Sequence, residues 1–198
     1  VYCCFNNNYK ITPETFEIWM RILKNVEGSV LWLLRSNKTA EDNLRKEAQS
    51  RGIDPNRIVF AERINMSDHL ARHRCADLFL DTLPYNAHTT GSDALWVGLP
   101  LLTKLGETFA GRVSASLLNA VELPELITTS SEEYEGLAMT LAKSPQKLKK
   151  IKNTLELNRN IAPLFNTPLY TKHLEAAYCQ MVENHKLGHK SQHIFIKP

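Results

Sequence analysis

Leu78-Phe79-Leu80-Asp81-Thr82-Leu83-Pro84-Tyr85-Asn86-Ala87-His88-Thr89-Thr90-Gly91-Ser92-Asp93-Ala94-Leu95-Trp96 decides the fold. The apolar run ending at Asp81 reads as a buried strand. The polar Thr82–His88 segment reads as a loop, and a helix begins near Thr89. Working outward, the same unit recurs. Upstream lie a strand-like run at Val1–Phe5 and a helix that Thr12 caps, with Pro13 at its first position. They are followed by an apolar strand at Ser29–Leu34, a helix from about Ala40 to Arg51, a strand at Ile58–Ala61 and a helix from about Ser67 to Arg74. Downstream come a strand at Leu101–Thr103 and a helix from about Thr108 to Leu118. Runs that are apolar throughout suit strands covered on both faces, and parallel strands need crossover helices. The pattern predicts an α/β fold, a doubly wound parallel sheet. From about Ser131 the chain turns helical, at Glu132–Ala142, Pro145–Asn158 and Pro168–His185. Leu174, Tyr178, Met181 and Val182 form one stripe of the last helix, and residues from His185 to Pro198 read as a frayed polar end. The expected organisation is one lobe over 1–198, with an α/β core at 1–130 and a helical tail at 131–185.

The 198 residues are 43% hydrophobic and 23% charged, which is ordinary globular composition. A net charge of +3, with its one cluster at Lys143, Lys147, Lys149, Lys150 and Lys152, falls short of the concentrated basic face that nucleic acid requires. Four cysteines without a CxxC pair suit a reducing compartment, and adjacent Cys3 and Cys4 read as small buried hydrophobes. No run approaches the roughly 20 apolar residues of a membrane span, and no signal-peptide pattern opens the chain. The expected location is cytoplasmic, and also nuclear in a eukaryote. The sequence starts on a strand without an initiator Met, so an upstream portion of a larger protein is expected.

In an open parallel sheet, ligands bind beyond the carboxyl ends of the strands, near the switch point. Asn6-Asn7-Asn8-Tyr9-Lys10 follows the first strand. Lys10 there is either a phosphate contact or a solvated turn lysine, and the asparagines offer hydrogen bonds to a nucleotide or sugar. His88-Thr89-Thr90 opens a helix whose first-turn N–H groups carry partial positive charge, an anion site by construction. The alternative is an ordinary threonine cap. Asp93, one turn in, repels phosphate but can accept from a ribose diol. His69 and Arg72, three residues apart, share a helix face fit for stacking a flat base, or else for facing solvent. A fourth stretch, Lys104–Arg112, has glycines that permit close backbone approach and places Arg112 near the same crevice. GxGxxG, GxxxxGK[ST], GxSxG and HExxH are all absent from the sequence, and its histidines show no metal-ligand spacing.

Taken together, Val1–Ile11, Asp81–Asp93, Gly106-Glu107-Thr108 with Arg112, and Pro163-Leu164-Phe165-Asn166-Thr167 resemble the C-terminal catalytic lobe of the protein O-GlcNAc transferase family, over nearly the whole chain. The resemblance implies the Rossmann-like C-terminal lobe of a GT-B glycosyltransferase with no metal or other cofactor, UDP-GlcNAc as donor and inverting transfer to Ser or Thr. By the same resemblance Lys10 supports the departing UDP, and Asn7 belongs to the donor site. His88, Thr89 and Thr90 grip the diphosphate, Asp93 holds the ribose, and His69 and Arg72 lie against the uridine. Two departures stand out. Asn7 replaces the glutamine of the animal enzymes and Met66 replaces their lysine, which keeps GDP-fucose or UDP-glucose open as donors. A non-catalytic UDP-binding scaffold is the reading from another class. The implied partners are UDP, protein acceptors reached through upstream tetratricopeptide repeats, and the protein's own N-terminal catalytic lobe, without which the fragment is expected to be inactive. No general base is identifiable.

Overall fold

The computed structural model describes residues 1–196. Its elements in chain order are β1 (Tyr2–Cys4), α1 (Pro13–Asn25), β2 (Leu31–Leu34), α2 (Lys38–Ser50), β3 (Ile58–Ala61), α3 (Met66–Arg72), β4 (Leu78–Leu80), α4 (Thr89–Trp96), β5 (Leu101–Lys104), α5 (Val113–Ala120), β6 (Ile127–Thr128), α6 (Ser131–Lys143), α7 (Pro145–Ile161) and α8 (Thr167–Lys186). The strands form one parallel sheet in the order β3-β2-β1-β4-β5-β6. Tyr2 sits opposite Leu31 on one side of β1 and opposite Leu78 on the other. The chain therefore winds outward from β1 to β3 and returns to β4 on β1's free side. The switch point lies between β1 and β4, where the loops after both strands open on the same crevice.

Each helix forms for local reasons. Thr12 accepts from the Thr15 amide, Pro13 supplies a fixed φ at the first position, and Phe16, Trp19, Met20 and Leu23 make a buried stripe. Burial of each such side chain contributes about 1.5–3 kcal/mol. Gly28, at φ 72°, then turns the chain into β2. Ser130 and Glu133 close a capping box at the start of α6. Tyr134 on that helix donates to the Asp81 carbonyl at 3.0 Å and receives the Trp19 indole N–H at 3.3 Å. The first tail helix is thereby tied to the end of β4.

Three features differ from the sequence reading. The helix expected from Thr108 is a 3-10 turn at Phe109–Gly111 followed by α5. A Cβ on Gly111 would stand 2.9 Å from the Pro84 carbonyl, so tight backbone contact holds the chain there until the helix can begin. The two-residue β6, with Ile127 opposite Thr103, is too short for a periodicity signal. The end expected to fray from His185 is helical through Lys186 and irregular to residue 196, with Lys197 and Pro198 outside the described residues. Cys3 and Cys4 are fully buried, as their place in β1 requires. No helix among the described residues is long and apolar enough to cross a membrane. On α8 no residue is buried, and Tyr170, Tyr178, Met181 and Val182 are each more than half exposed.

A nucleotide-sized cavity at the switch point

A cavity of about 510 Å³ opens at the carboxyl ends of β1, β3 and β4, and Asn7, Lys10, His69, Arg72, His88, Thr89, Thr90 and Asp93 all line it. These eight come from three separate segments, and the switch point is what joins them. The cavity wall also carries Arg63. Lys10, Arg63 and Arg72 thus face one carboxylate, Asp93, a balance that favours an anionic ligand.

The frame beneath the cavity is a buried carboxylate. Asp81, at the end of β4, accepts from the Thr82 amide at 2.8 Å, the Ala87 amide at 2.6 Å and the Thr103 hydroxyl at 2.7 Å. Burial pushes its carboxyl up, and these donors oppose the shift. Together they fold residues 82–87 into a fixed loop. Asn6, also buried, donates to the Thr82 hydroxyl at 2.8 Å and accepts from the Thr90 hydroxyl at 2.5 Å. This bond joins the β1 loop to the first turn of α4. Gly91 completes the arrangement. A Cβ there would meet Leu101 Cδ1 at 3.1 Å and Ala87 Cβ at 3.2 Å, so only glycine lets the first turn settle this close to the sheet.

Lys10 ends a short 3-10 turn after β1. Its Nζ donates to the Asn86 carbonyl at 2.8 Å and lies 3.7 Å from the centroid of the Tyr85 ring. Partial burial lowers its pKa, and the Tyr9 and Asp81 charges oppose the shift. Across the cavity, His88 occupies the N-cap position of α4 without a side-chain cap, so the first-turn amides of Thr89 and Thr90 keep their donors. Of the two threonine hydroxyls in this turn, Thr90's is bound to Asn6, which leaves Thr89's for a ligand. His88 Nε2 lies 3.3 Å from the Ala110 carbonyl. A carbonyl only accepts, so Nε2 carries a proton, and Nδ1 is turned to the other side of the ring.

The other wall is aromatic. Arg72 Nη2 donates to His69 Nδ1, its Nη1 donates to the Glu62 carbonyl at 2.5 Å, and its guanidinium lies 4.9 Å over the Phe5 ring. His69 therefore carries its proton on Nε2. Burial, with Arg72 and His73 nearby, lowers its pKa to about 4, which keeps the ring a neutral stacking surface. Asn7 accepts from Arg63 at 3.3 Å, while Asn8 is drawn away by the Ser36 hydroxyl at 3.2 Å. Of the three loop asparagines, Asn6 and Asn7 line the cavity, and the Asn6 side chain is already committed to Thr82 and Thr90. Arg112 lines a separate groove with Glu107 and Phe109, so the expectation that it shares the crevice does not hold. Tyr85, Arg63 and Asp81 were passed over in the sequence reading. Tyr85 and Asp81 fall inside the stretch that decides the fold, and their roles appear only once the loop closes. Another cavity, of about 360 Å³, lies across the 82–84 loop with mainly apolar walls. Its one cation, Lys104, is held by Ser131 at 3.0 Å.

Residues 1–174 match the family described as Glycosyl transferase family 41. Over 194 residues, 98% of this chain, it is 38% identical to the UDP-N-acetylglucosamine-peptide N-acetylglucosaminyltransferase of Caenorhabditis elegans, of which it covers 17%. It is 40% identical over the same length to the probable enzyme of that name, SEC, of Arabidopsis thaliana, covering 20% of it. The solved K341M mutant of the Thermobaculum terrenum O-GlcNAc transferase superposes with a TM-score of 0.85 at 30% identity, over 91% of this chain and 35% of that one. This chain thus spans about a fifth of the length of those curated relatives. Its parallel sheet is that of a GT-B lobe, and the chain belongs to glycosyl transferase family 41.

Proposed function

We propose that this chain is the donor-binding lobe of an inverting transferase that moves GlcNAc from UDP-GlcNAc to a Ser or Thr hydroxyl. The observation that carries the reading is the convergence of Lys10, the free first-turn amides of α4, the His69 wall and Asp93 on one cavity. In this reading His69 stacks on the base, with Arg72 fixing its ring. Asp93 accepts from the ribose diol, and Asn7, His88, Thr89 and Thr90 surround the diphosphate. As the glycosidic bond breaks, negative charge grows on the leaving UDP. Lys10 and the oriented amides meet it where it develops, so no metal is required of the site. The acceptor and the general base come from outside this chain. The exposed apolar stripe of α8 packs against the N-terminal lobe, and activity requires both lobes.

Calorimetric titration with UDP, GDP, UDP-GlcNAc and UDP-glucose tests the assignment. UDP and UDP-GlcNAc should bind at one shared site, and His69→Ala should weaken both. Tighter binding of GDP would transfer the chain to another donor class, and no binding of any nucleotide would sink the reading.

A further inference from the structure

Arg63 stands two residues beyond the end of β3, and its exposed side chain lines the nucleotide cavity. Among the described residues it forms no ion pair. The adjacent acid, Glu62, is taken by Arg35, and Asp68, farther along the loop, accepts from the Asn65 side chain at 2.7 Å. The Arg63 guanidinium makes one hydrogen bond, from Nη2 to Asn7 Oδ1 at 3.3 Å. The other N–H groups of its fork have no protein partner among the described residues.

Where that guanidinium is held decides its use. Asn7 precedes the 3-10 turn that carries Lys10, and its carbonyl accepts from the Lys10 amide at 3.0 Å. Its side chain does not cap that turn, and instead accepts from Arg63 and donates to the Tyr9 hydroxyl at 3.3 Å. The residue before it, Asn6, binds the Thr90 hydroxyl in the first turn of α4. Two consecutive residues therefore tie two walls of the cavity to one loop, α4 through Asn6 and the segment after β3 through Asn7. In the sheet β3 lies three places from β4, about 14 Å at the usual strand spacing. The Asn7 bond draws the Arg63 cation back across part of that distance, to the turn that holds Lys10. Of the parts of a nucleoside diphosphate, the base meets the His69 wall and the ribose meets Asp93, and the diphosphate alone is charged. A planar fork without a counter-ion can pair with two phosphate oxygens at once. Its present acceptor is a neutral amide at the long end of the hydrogen-bond range, which an anionic oxygen displaces readily.

We propose that Arg63 is a second phosphate-binding cation of the donor site, which exchanges the Asn7 amide oxygen for phosphate oxygens and closes on the diphosphate from the β3 side of the cavity. This contact is complete in the bound donor, so Arg63 serves affinity, whereas Lys10 serves the departing charge. The inference rests on the nucleotide reading above, and the test separates the two. UDP and uridine are titrated against the full chain by NMR, the nucleoside being the probe that lacks the charge. The parent should bind UDP more tightly. In Arg63→Ala, UDP affinity should fall by about tenfold or more, the scale of hydrogen bonds to a charged group, with uridine affinity unchanged. Arg63→Lys, which keeps the charge but not the fork, should recover part of the loss. Added salt should weaken UDP binding less in Arg63→Ala than in the parent. Because the side chain is exposed, both variants should keep the parent's urea midpoint. Equal losses for UDP and uridine would assign Arg63 to the base or to local packing and overturn the inference. A folded Arg63→Ala with the parent's UDP affinity overturns it too, as does a parent that binds the two ligands alike. A parent that binds neither overturns the nucleotide reading itself.

Discussion

Replacing Lys10 by Ala removes a cation held in place by the Asn86 carbonyl at 2.8 Å and the Tyr85 face at 3.7 Å. Two unit charges about 4 Å apart near a protein surface attract by roughly 4 kcal/mol. Part of that attraction is already present in the bound donor, whose diphosphate is charged before reaction, and that part affects affinity alone. The remainder arises as the sugar departs and charge concentrates on the UDP oxygen. Donors of this kind contribute about 2.7–4 kcal/mol in other enzymes, or a factor of about 10² to 10³ in kcat. Lys10→Ala in the complete enzyme should therefore lose about that factor in single-turnover transfer from labelled UDP-GlcNAc to a Ser-containing peptide. The dissociation constant for UDP-GlcNAc should rise by less than about tenfold. The pH profile supplies an independent check. Burial holds Lys10 below the usual lysine value, so it loses its proton, and its use, as pH rises. Turnover of the parent should fall on the alkaline side sooner than a solvated lysine would allow, and the residual activity of Lys10→Ala should lack that limb. Equal kcat in parent and variant would refute the reasoning, as would a loss confined to donor affinity.

Other perturbations probe the frame and the surfaces around the cavity. Gly91→Ala forces a methyl to within 3.1 Å of Leu101 Cδ1 and should cost about 1–3 kcal/mol in urea denaturation, with weaker UDP binding as the first turn of α4 is lifted. Asp81→Ala strands the Thr82 and Ala87 amides and the Thr103 hydroxyl, and denaturation should show a loss of about 3 kcal/mol or more. His69→Ala should reduce UDP affinity by about 1–3 kcal/mol, the usual scale of base stacking, as read by calorimetry. Tyr178→Ser with Met181→Ser, on the exposed α8 stripe, should move denaturation by no more than about 0.5 kcal/mol each. It should still abolish co-purification with a separately expressed upstream lobe, and intact association would remove α8 from that interface.

The elements that sequence shows most plainly are those in which burial and chain direction leave one choice. A run such as Leu31-Trp32-Leu33-Leu34 is apolar throughout, and it forms an internal strand with Leu31 and Leu33 buried and Trp32 and Leu34 half-buried. Thr12-Pro13 marks a helix start because both the cap and the fixed φ act within a single turn. What escaped depends on contacts between distant segments. Beta-strand six has two residues and no period of its own. Gly111 breaks the expected helix through the carbonyl of Pro84, which is far from it in sequence. The site divides in the same way. Lys10, Asp93 and the His88–Thr90 turn were legible as residue types placed after strands, because the carboxyl end of a parallel sheet is where ligands gather. The occupied hydroxyl of Thr90, the bond that fixes a proton on His88 Nε2 and the retreat of Asn8 toward Ser36 are facts of pairing. No spacing rule carries them.

The buried pair Asn6 and Asp81 explains why a charged cavity can be held open without its own walls collapsing onto it. Left to themselves, Lys10, Arg63 and Arg72 would seek the nearest carboxylate, and Asp93 is the one within the cavity. The structure instead gives Lys10 a carbonyl and an aromatic face, Arg72 a carbonyl and a histidine nitrogen, and Arg63 the amide oxygen of Asn7. None of these partners neutralises the cation it holds. The positive field therefore remains available to a ligand, and Asp93 remains available to a neutral hydroxyl. Asp81 satisfies its own charge with backbone and hydroxyl donors, and the loop it shapes presents the Asn86 carbonyl to Lys10. Preorganisation of this kind is what an electrostatic catalyst needs, because donors already fixed in place require no reorganisation when charge develops. It follows that Asp81, which is buried and does not line the cavity, and Asn6, whose side chain is committed to Thr82 and Thr90, should govern turnover as strongly as residues that hold a ligand.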